Sequence, residues 1–201
     1  MKDPPTPPQD LALIAVCPKR LLQTMSKQSR GRAPGPSGWT EDLLFQSAME
    51  SEEVLAAMAA MIRDICNGDV SPAMRQIITA SRLITPAQNN KLRPIAIGEA
   101  VLKIAEAYLL GLIDDFICEE FAPLQHAFVE DGVGRVIHEV RSELNRNRNA
   151  KAVLVDCKNA FNTIHRATIF ESTKTSRLHA LAPIINLCYA HPSLPHHDMI
   201  T

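Results

Sequence analysis

The stretch from Arg93 to Glu119 constrains the fold more than any other part of the sequence. Its period changes once. Arg93 to Gly98 (RPIAIG) reads as extended, because Pro94 biases the residue before it toward an open backbone. From Glu99 to about Glu119 the spacing turns helical: Glu99, Ala100, Lys103, Ala107, Leu110 and Asp114 fall around faces whose apolar members point inward, which predicts the longest helix of the chain. A short strand that gives way to a helix of that length requires an α/β mixture.

The flanking segments extend the pattern. Ser51 to Cys66 predicts an amphipathic helix capped by Ser51, with Met58 and Met61 in the core, and Asn67-Gly68 stops it. Ser71-Pro72 opens a short helix to about Ala80. Arg82 to Thr85 is a short strand and Ala87 to Lys91 a turn. Gly132 to Asn147 is a helix with Val133, Val136, Ile137, Val140 and Leu144 as its stripe. Ala152 to Val155 reads as a short buried strand, and Ile164 to Lys174 and Leu178 to Tyr189 as helices. Pro192 and Pro195 mark a turn. The class is α/β in the α+β sense, with helices packed on one face of a small sheet.

The amino-terminal end is different. MKDPPTPPQD is too rich in proline for a helix or a central strand, and residues 11–27 have room for one short helix. Residues 1–28 are therefore expected to be a flexible arm or linker. Residues 1–35 hold Lys2, Lys19, Arg20, Lys27, Arg30 and Arg32 against Asp3 and Asp10, so the arm is either a solvated tail or a contact for phosphates. Ser29 to Trp39 (SRGRAPGPSGW) is a loop, whose lone tryptophan is expected to pin it to the body by packing.

Composition narrows the class. The 201 residues are 46% hydrophobic and 21% charged, as in ordinary soluble proteins, and the net charge of -1 is not that of a dedicated duplex binder. Five scattered cysteines form no CxxC pair, which argues against a disulfide scaffold or structural zinc and for a reducing compartment. Residues 1–10 do not read as a signal peptide. Charges interrupt every apolar run before it reaches membrane-spanning length.

Chemistry concentrates in DCKNAFN, Asp156 to Asn162. A carboxylate after Val153-Leu154-Val155 suits a strand end that projects into a cleft, and Mg²⁺ takes such hard oxygen ligands together with substrate phosphates. The competing reading is a carboxylate that caps a helix or pairs with a base. Phe161 is either core or a wall beside a nucleotide sugar, where it would exclude a 2′-hydroxyl. Nothing orders a base beside Cys157, so it is not read as a nucleophile. Lys91 and Arg93 either grip a triphosphate or form a solvated edge. His196-His197-Asp198 reads as a solvated tail.

Four segments, in family order across roughly residues 30–190, resemble the reverse transcriptases of non-LTR retrotransposons. The likeness is strongest to site-specific elements of the R-two-like or trypanosomatid spliced-leader type. They are APGPSGW (Ala33 to Trp39), RLITPAQNNKLRPIAIGEAVLKI (Arg82 to Ile104), QHAF and EDGVGRVIHEVR (within Gln125 to Arg141), and LVDCKNAFNTIHR (Leu154 to Arg166).

The resemblance implies a right-hand polymerase, with fingers and the first part of the palm over residues 29–201. Asp156 then matches the first catalytic aspartate and a magnesium ligand, with the Cys157 carbonyl as a further ligand. Phe161 matches the steric gate and Arg93 the finger arginine on the incoming nucleotide, while Lys91 is a second candidate for the phosphates. Gln125 to Gly134 resembles the segment near template and primer. The implied substrates are an RNA template, a DNA primer and dNTPs, with two Mg²⁺ ions and no membrane, and the intact protein is expected in the nucleus.

The sequence departs from the family twice. Ile84-Thr85-Pro86-Ala87 lacks the basic residue that many relatives carry after the proline. No paired-aspartate turn or glycine-rich QGDPLGP-like segment follows Asp156. The expectation is therefore a fragment of an RNA-directed DNA polymerase that lacks the carboxyl-terminal palm and thumb and is inactive alone. The alternative is a noncatalytic nucleic-acid-binding or protein-interaction remnant of such a polymerase.

Overall fold

The computed structural model describes residues 13–28, 30–85, 87–88, 91–92, 94–121, 125–157, 160–174, 178–190 and 195–197. The helices are α1 (Pro18–Ser26), α2 (Glu41–Glu50), α3 (Glu52–Cys66), α4 (Pro72–Ile78), α5 (Ala100–Phe121), α6 (Gly132–Arg146), α7 (Ala160–Thr163), α8 (Arg166–Ser172) and α9 (Ala182–Tyr189). The strands are β1 (Ser81–Ile84), β2 (Ala87–Gln88), β3 (Lys91–Leu92), β4 (Ile95–Gly98) and β5 (Pro195–His197). Single 3₁₀ turns lie at His126–Phe128 and His179–Leu181. The protein is mostly helical with a small three-stranded mixed sheet and a two-stranded ladder, an α+β arrangement. The chain forms two compact units: Met1–Gly111 with Arg166–Thr201, and Leu112–His165.

Hydroxyl caps start three helices of the first unit. Thr40 Oγ1, Ser51 Oγ and Ser71 Oγ accept from the backbone N–H groups of Leu43 (3.2 Å), Val54 (3.3 Å) and Met74 (3.2 Å), each satisfying a donor that the helix leaves orphaned. The caps at Ser51 and Ser71 match the sequence reading, whereas α2 was not foreseen.

The core of this unit is helix on helix. Leu21 and Met25 of α1, Ile62, Ile65 and Cys66 of α3, Ile104, Tyr108 and Leu109 of α5, and Ile184 and Leu187 of α9 are buried in one cluster. Among the described residues no strand residue belongs to it, so the helices pack on each other rather than on one face of a sheet. Met58 packs against this core, but Met61 is exposed, contrary to expectation.

Polar bonds tie the amino-terminal segment down. Asn67 holds Ile14 in both directions: Ile14 N donates to Asn67 Oδ1 at 2.8 Å and Asn67 Nδ2 donates to Ile14 O at 3.0 Å. Cys17 N donates to the Tyr108 hydroxyl at 3.0 Å. Residues 1–12 of the expected arm lie outside the described residues. In the remainder α1 is the short helix for which residues 11–27 have room, and it buries Leu21 and Met25 in the core.

β1 and β4 pair antiparallel, with Ser81 opposite Gly98 and Ile84 opposite Ile95. β2 and β3 pair with Ala87 opposite Leu92 and Gln88 opposite Lys91, where a turn was expected. In every pair of both ladders the two residue numbers add to 179, so the ladders share one register and form an interrupted hairpin. The interruption takes in Pro94, which has no N–H to donate to a ladder. β5 pairs parallel with β1, so Pro195 begins a strand where a turn was expected; Pro192 lies outside the described residues.

The second unit is sparsely packed. Asp131 adopts a left-handed conformation (φ 54°) and Gly132 starts α6. A Cβ on Gly132 would lie 1.8 Å from the His126 carbonyl oxygen, so only glycine fits there. His126 Nε2 lies 3.3 Å from Glu139 Oε2. α6 forms as predicted, but its apolar stripe is exposed throughout.

The predicted strand Ala152 to Val155 is not a strand. Val153, Leu154 and Val155 are 83%, 93% and 83% exposed in a stretch without regular structure. A strand exists only through its neighbours, and no described segment pairs with these residues.

Candidate functional site

The structure distributes the expected site residues as follows. Asp156 and Cys157 are adjacent and exposed at the end of the irregular 151–157 stretch, in the second unit. Phe161 belongs to the backbone of α7 in the same unit. Lys91 belongs to β3 in the first unit, and Arg93 lies outside the described residues. Of the terminal histidines, His196 and His197 are part of β5, and Asp198 lies outside the described residues. Among the described residues no group of three or more His, Cys, Asp or Glu side chains could hold a metal ion.

A different polar arrangement is well formed in the first unit. The loop before α2 is braced against the start of α5 by Glu99, which is 4% exposed. Ser37 N donates to Glu99 Oε1 at 2.8 Å, and Ser37 Oγ donates to Glu99 Oε2 at 2.5 Å. Gly35 makes this approach possible: a Cβ there would lie 2.8 Å from the Gly98 carbonyl oxygen. Gly31 N donates to Asp42 Oδ2 at 2.8 Å, which ties the other end of the loop to α2. Glu41, 3% exposed, has Lys103 Nζ at 3.6 Å and Arg32 Nη1 at 3.9 Å from Oε1. Its place in the first turn of α2 also suits a negative charge.

Trp39 lies between these fixed points and does not pin the loop, because the residue remains 51% exposed. Its backbone N–H is held by Ser37 Oγ at 3.3 Å, and Thr40 beside it caps α2. The sequence reading missed the Glu99 brace and the buried Glu41. Thr40-Glu41-Asp42, a capping hydroxyl followed by two acids, carried the signal for the start of α2.

A cavity of about 300 Å³ lies between α5, α8 and α9, with Glu106, Cys188 and Tyr189 among its mainly apolar walls. Burial pushes the Cys188 thiol up to about 12; Glu106 adds to the rise and Arg75 opposes it. Burial likewise raises the Tyr189 phenol, with Cys188 and Glu106 adding and Arg166 opposing. Glu106 is at the rim: much of the residue is exposed, yet its apolar surroundings desolvate the carboxyl and raise its pKa, against the pull of Lys103. Thiol and phenol stay protonated at neutral pH, so neither is an activated nucleophile.

The fold and these sites define a mostly helical α+β protein whose polar organisation centres on a braced loop. In sequence it is related to a retrotransposon protein. The retrotransposable element SLACS 132 kDa protein of Trypanosoma brucei gambiense is 28% identical over 173 residues, which cover 84% of this chain and 14% of that protein. The chain thus spans about 14% of the length of the relative it matches. No family model and no solved structure matches.

Proposed function

We propose that this chain is part of an RNA-directed DNA polymerase, the reverse transcriptase of a site-specific non-LTR retrotransposon. The observation that carries this reading is the similarity to the SLACS protein over 84% of the chain; the resemblance of the DCKNAFN segment to the polymerase family adds to it. In the whole enzyme Asp156 would be one carboxylate of the magnesium site, with the Cys157 carbonyl beside it. Arg93 and Lys91 would hold the triphosphate of an incoming dNTP, and Phe161 would select deoxyribose. RNA template and DNA primer are the partners, and the nucleus is the place of action.

The described residues do not by themselves fit two Mg²⁺ ions. Asp156 stands in an exposed stretch, and no described cluster of acids, histidines or cysteines surrounds it. In-line phosphoryl transfer needs both attacking and leaving oxygens clamped by metal, so no catalytic step is assigned to this chain alone. The second reading, a noncatalytic nucleic-acid-binding or protein-interaction remnant, shares the same retrotransposon relation.

Anisotropy of a labelled RNA template annealed to a DNA primer tests the shared core of both nucleic-acid readings. Binding is expected at about 50 mM salt and weaker binding at about 150 mM, as phosphate contacts require. Absence of binding at both would reject the polymerase reading. Primer extension by the purified chain with dNTPs and Mg²⁺, abolished by Asp156→Ala, would instead show that the described carboxylate suffices.

A further inference from the structure

We propose that Trp39 is a stacking platform for an unpaired base of single-stranded nucleic acid. This rests on the polymerase reading and adds to it a contact outside the DCKNAFN segment. A tryptophan ring is among the most favourable side chains to bury, yet the only tryptophan of this chain is left half in solvent.

Its exposure is not that of a loose loop. Glu99 clamps Ser37 two residues before it, and Thr40 caps α2 one residue after it. Gly35 lies so close to the Gly98 carbonyl that no side chain fits between them. The entropy of ordering the backbone is therefore spent during folding rather than on binding, which is the condition for an efficient presented contact.

The charge of the sequence around Trp39 suits a polyanion. Residues 29–40 contain Arg30 and Arg32 and no acid, and Lys27 lies just before them. The two nearest acids in sequence are engaged: Asp42 accepts from Gly31 N, and Glu41 faces Lys103 and Arg32. Arg32 is engaged with Glu41, so the cations this segment offers are Lys27 and Arg30, close in sequence to an exposed indole in a chain of net charge -1. An aromatic face that takes the base and cations that take the phosphates are the two elements of single-strand binding.

Because Trp39 is the only tryptophan, its fluorescence reports on its own ring. The full chain is titrated with single-stranded RNA, single-stranded DNA and a blunt RNA–DNA duplex. Saturable quenching by a single strand is expected, and the RNA and DNA arms tell which strand supplies the base. Trp39→Ala should weaken that binding about tenfold and Trp39→Phe much less, with the circular dichroism of both variants unchanged. Binding without a fluorescence change and with unaltered affinity in Trp39→Ala would overturn the platform and leave the polymerase reading standing. Quenching by the blunt duplex alone would also overturn it. Binding of none of the three would overturn both.

Discussion

Ser37 and Glu99, 62 residues apart, are joined by two hydrogen bonds, from the Ser37 backbone N–H and from its hydroxyl to the two oxygens of one buried carboxylate. Glu99→Ala leaves the backbone donor without its charged acceptor and should cost about 2–3 kcal/mol, whereas Ser37→Ala removes one bond and should cost about 1 kcal/mol. Urea denaturation measures both. Equal and negligible losses would mean that the brace contributes nothing to stability.

Leu21 and Leu154 are the same residue type in opposite surroundings, one fully buried and one 93% exposed. Leu21→Ala should destabilise by about 2–5 kcal/mol, and Leu154→Ser should stay within about 0.5 kcal/mol. A large loss at Leu154 would show that the 151–157 stretch is packed after all. The same substitution removes an apolar side chain from an exposed run and should raise the concentration at which the protein stays soluble.

Cysteine reactivity should divide by burial. Burial raises the thiols of Cys66 and Cys188 to about 12, so at pH near 8 about one in ten thousand of each is thiolate. Cys17 and Cys157 are exposed. Mass spectrometry of the native protein after brief maleimide treatment should find label on Cys17 and Cys157, and on Cys66 and Cys188 only after unfolding.

Glu106 predicts a pH dependence of definite sign. Its folded pKa is raised, chiefly by desolvation, so the folded state holds the proton more tightly than the unfolded state does. Stability therefore falls as pH rises from the ordinary carboxylate range through the raised folded pKa. Glu106→Gln should raise the thermal midpoint at pH about 7 and leave it unchanged below the ordinary carboxylate range, near pH 3.5. A midpoint lowered at pH about 7 would mean that the carboxylate is stabilised there.

Gly132→Ala should fail locally. The added methyl would collide with the His126 carbonyl, and hydrogen exchange protection across α6 should drop while that of α3 is kept. Uniform protection in the variant would contradict the close approach.

Local chemistry was legible where one residue decides it. Ser51 and Ser71 cap the helices they were expected to cap, and Gly98-Glu99 ends a strand and opens the long helix. The short strands at Arg82–Thr85 and Arg93–Gly98 were legible, while Ala87 to Lys91, expected as a turn, supplies β2 and the first residue of β3. What depends on a distant partner was not legible. Val153-Leu154-Val155 has the composition of a buried strand, but burial needs a neighbouring strand that the run cannot specify by itself. Trp39 was assigned to packing by residue type, whereas Glu99, which fixes the loop backbone, is 62 residues away from Ser37. For the expected site, only Asp156 and Cys157 have described side chains, and exposure is what the structure adds to them.

The first unit is made of two stretches of chain with Leu112–His165 between them, and Ile184 and Leu187 complete a core begun at Leu21. The order of synthesis follows from this. At translation rates of about 5–20 residues per second, on the order of ten seconds separate the emergence of α5 from that of α9. Through that interval the faces of α3 and α5 that α9 will cover remain open, and chaperones have their clearest opportunity to engage the nascent chain. The length of the intervening unit has little effect on the final balance, since doubling a loop costs about 0.6 kcal/mol. It sets instead how long the half-built core must wait.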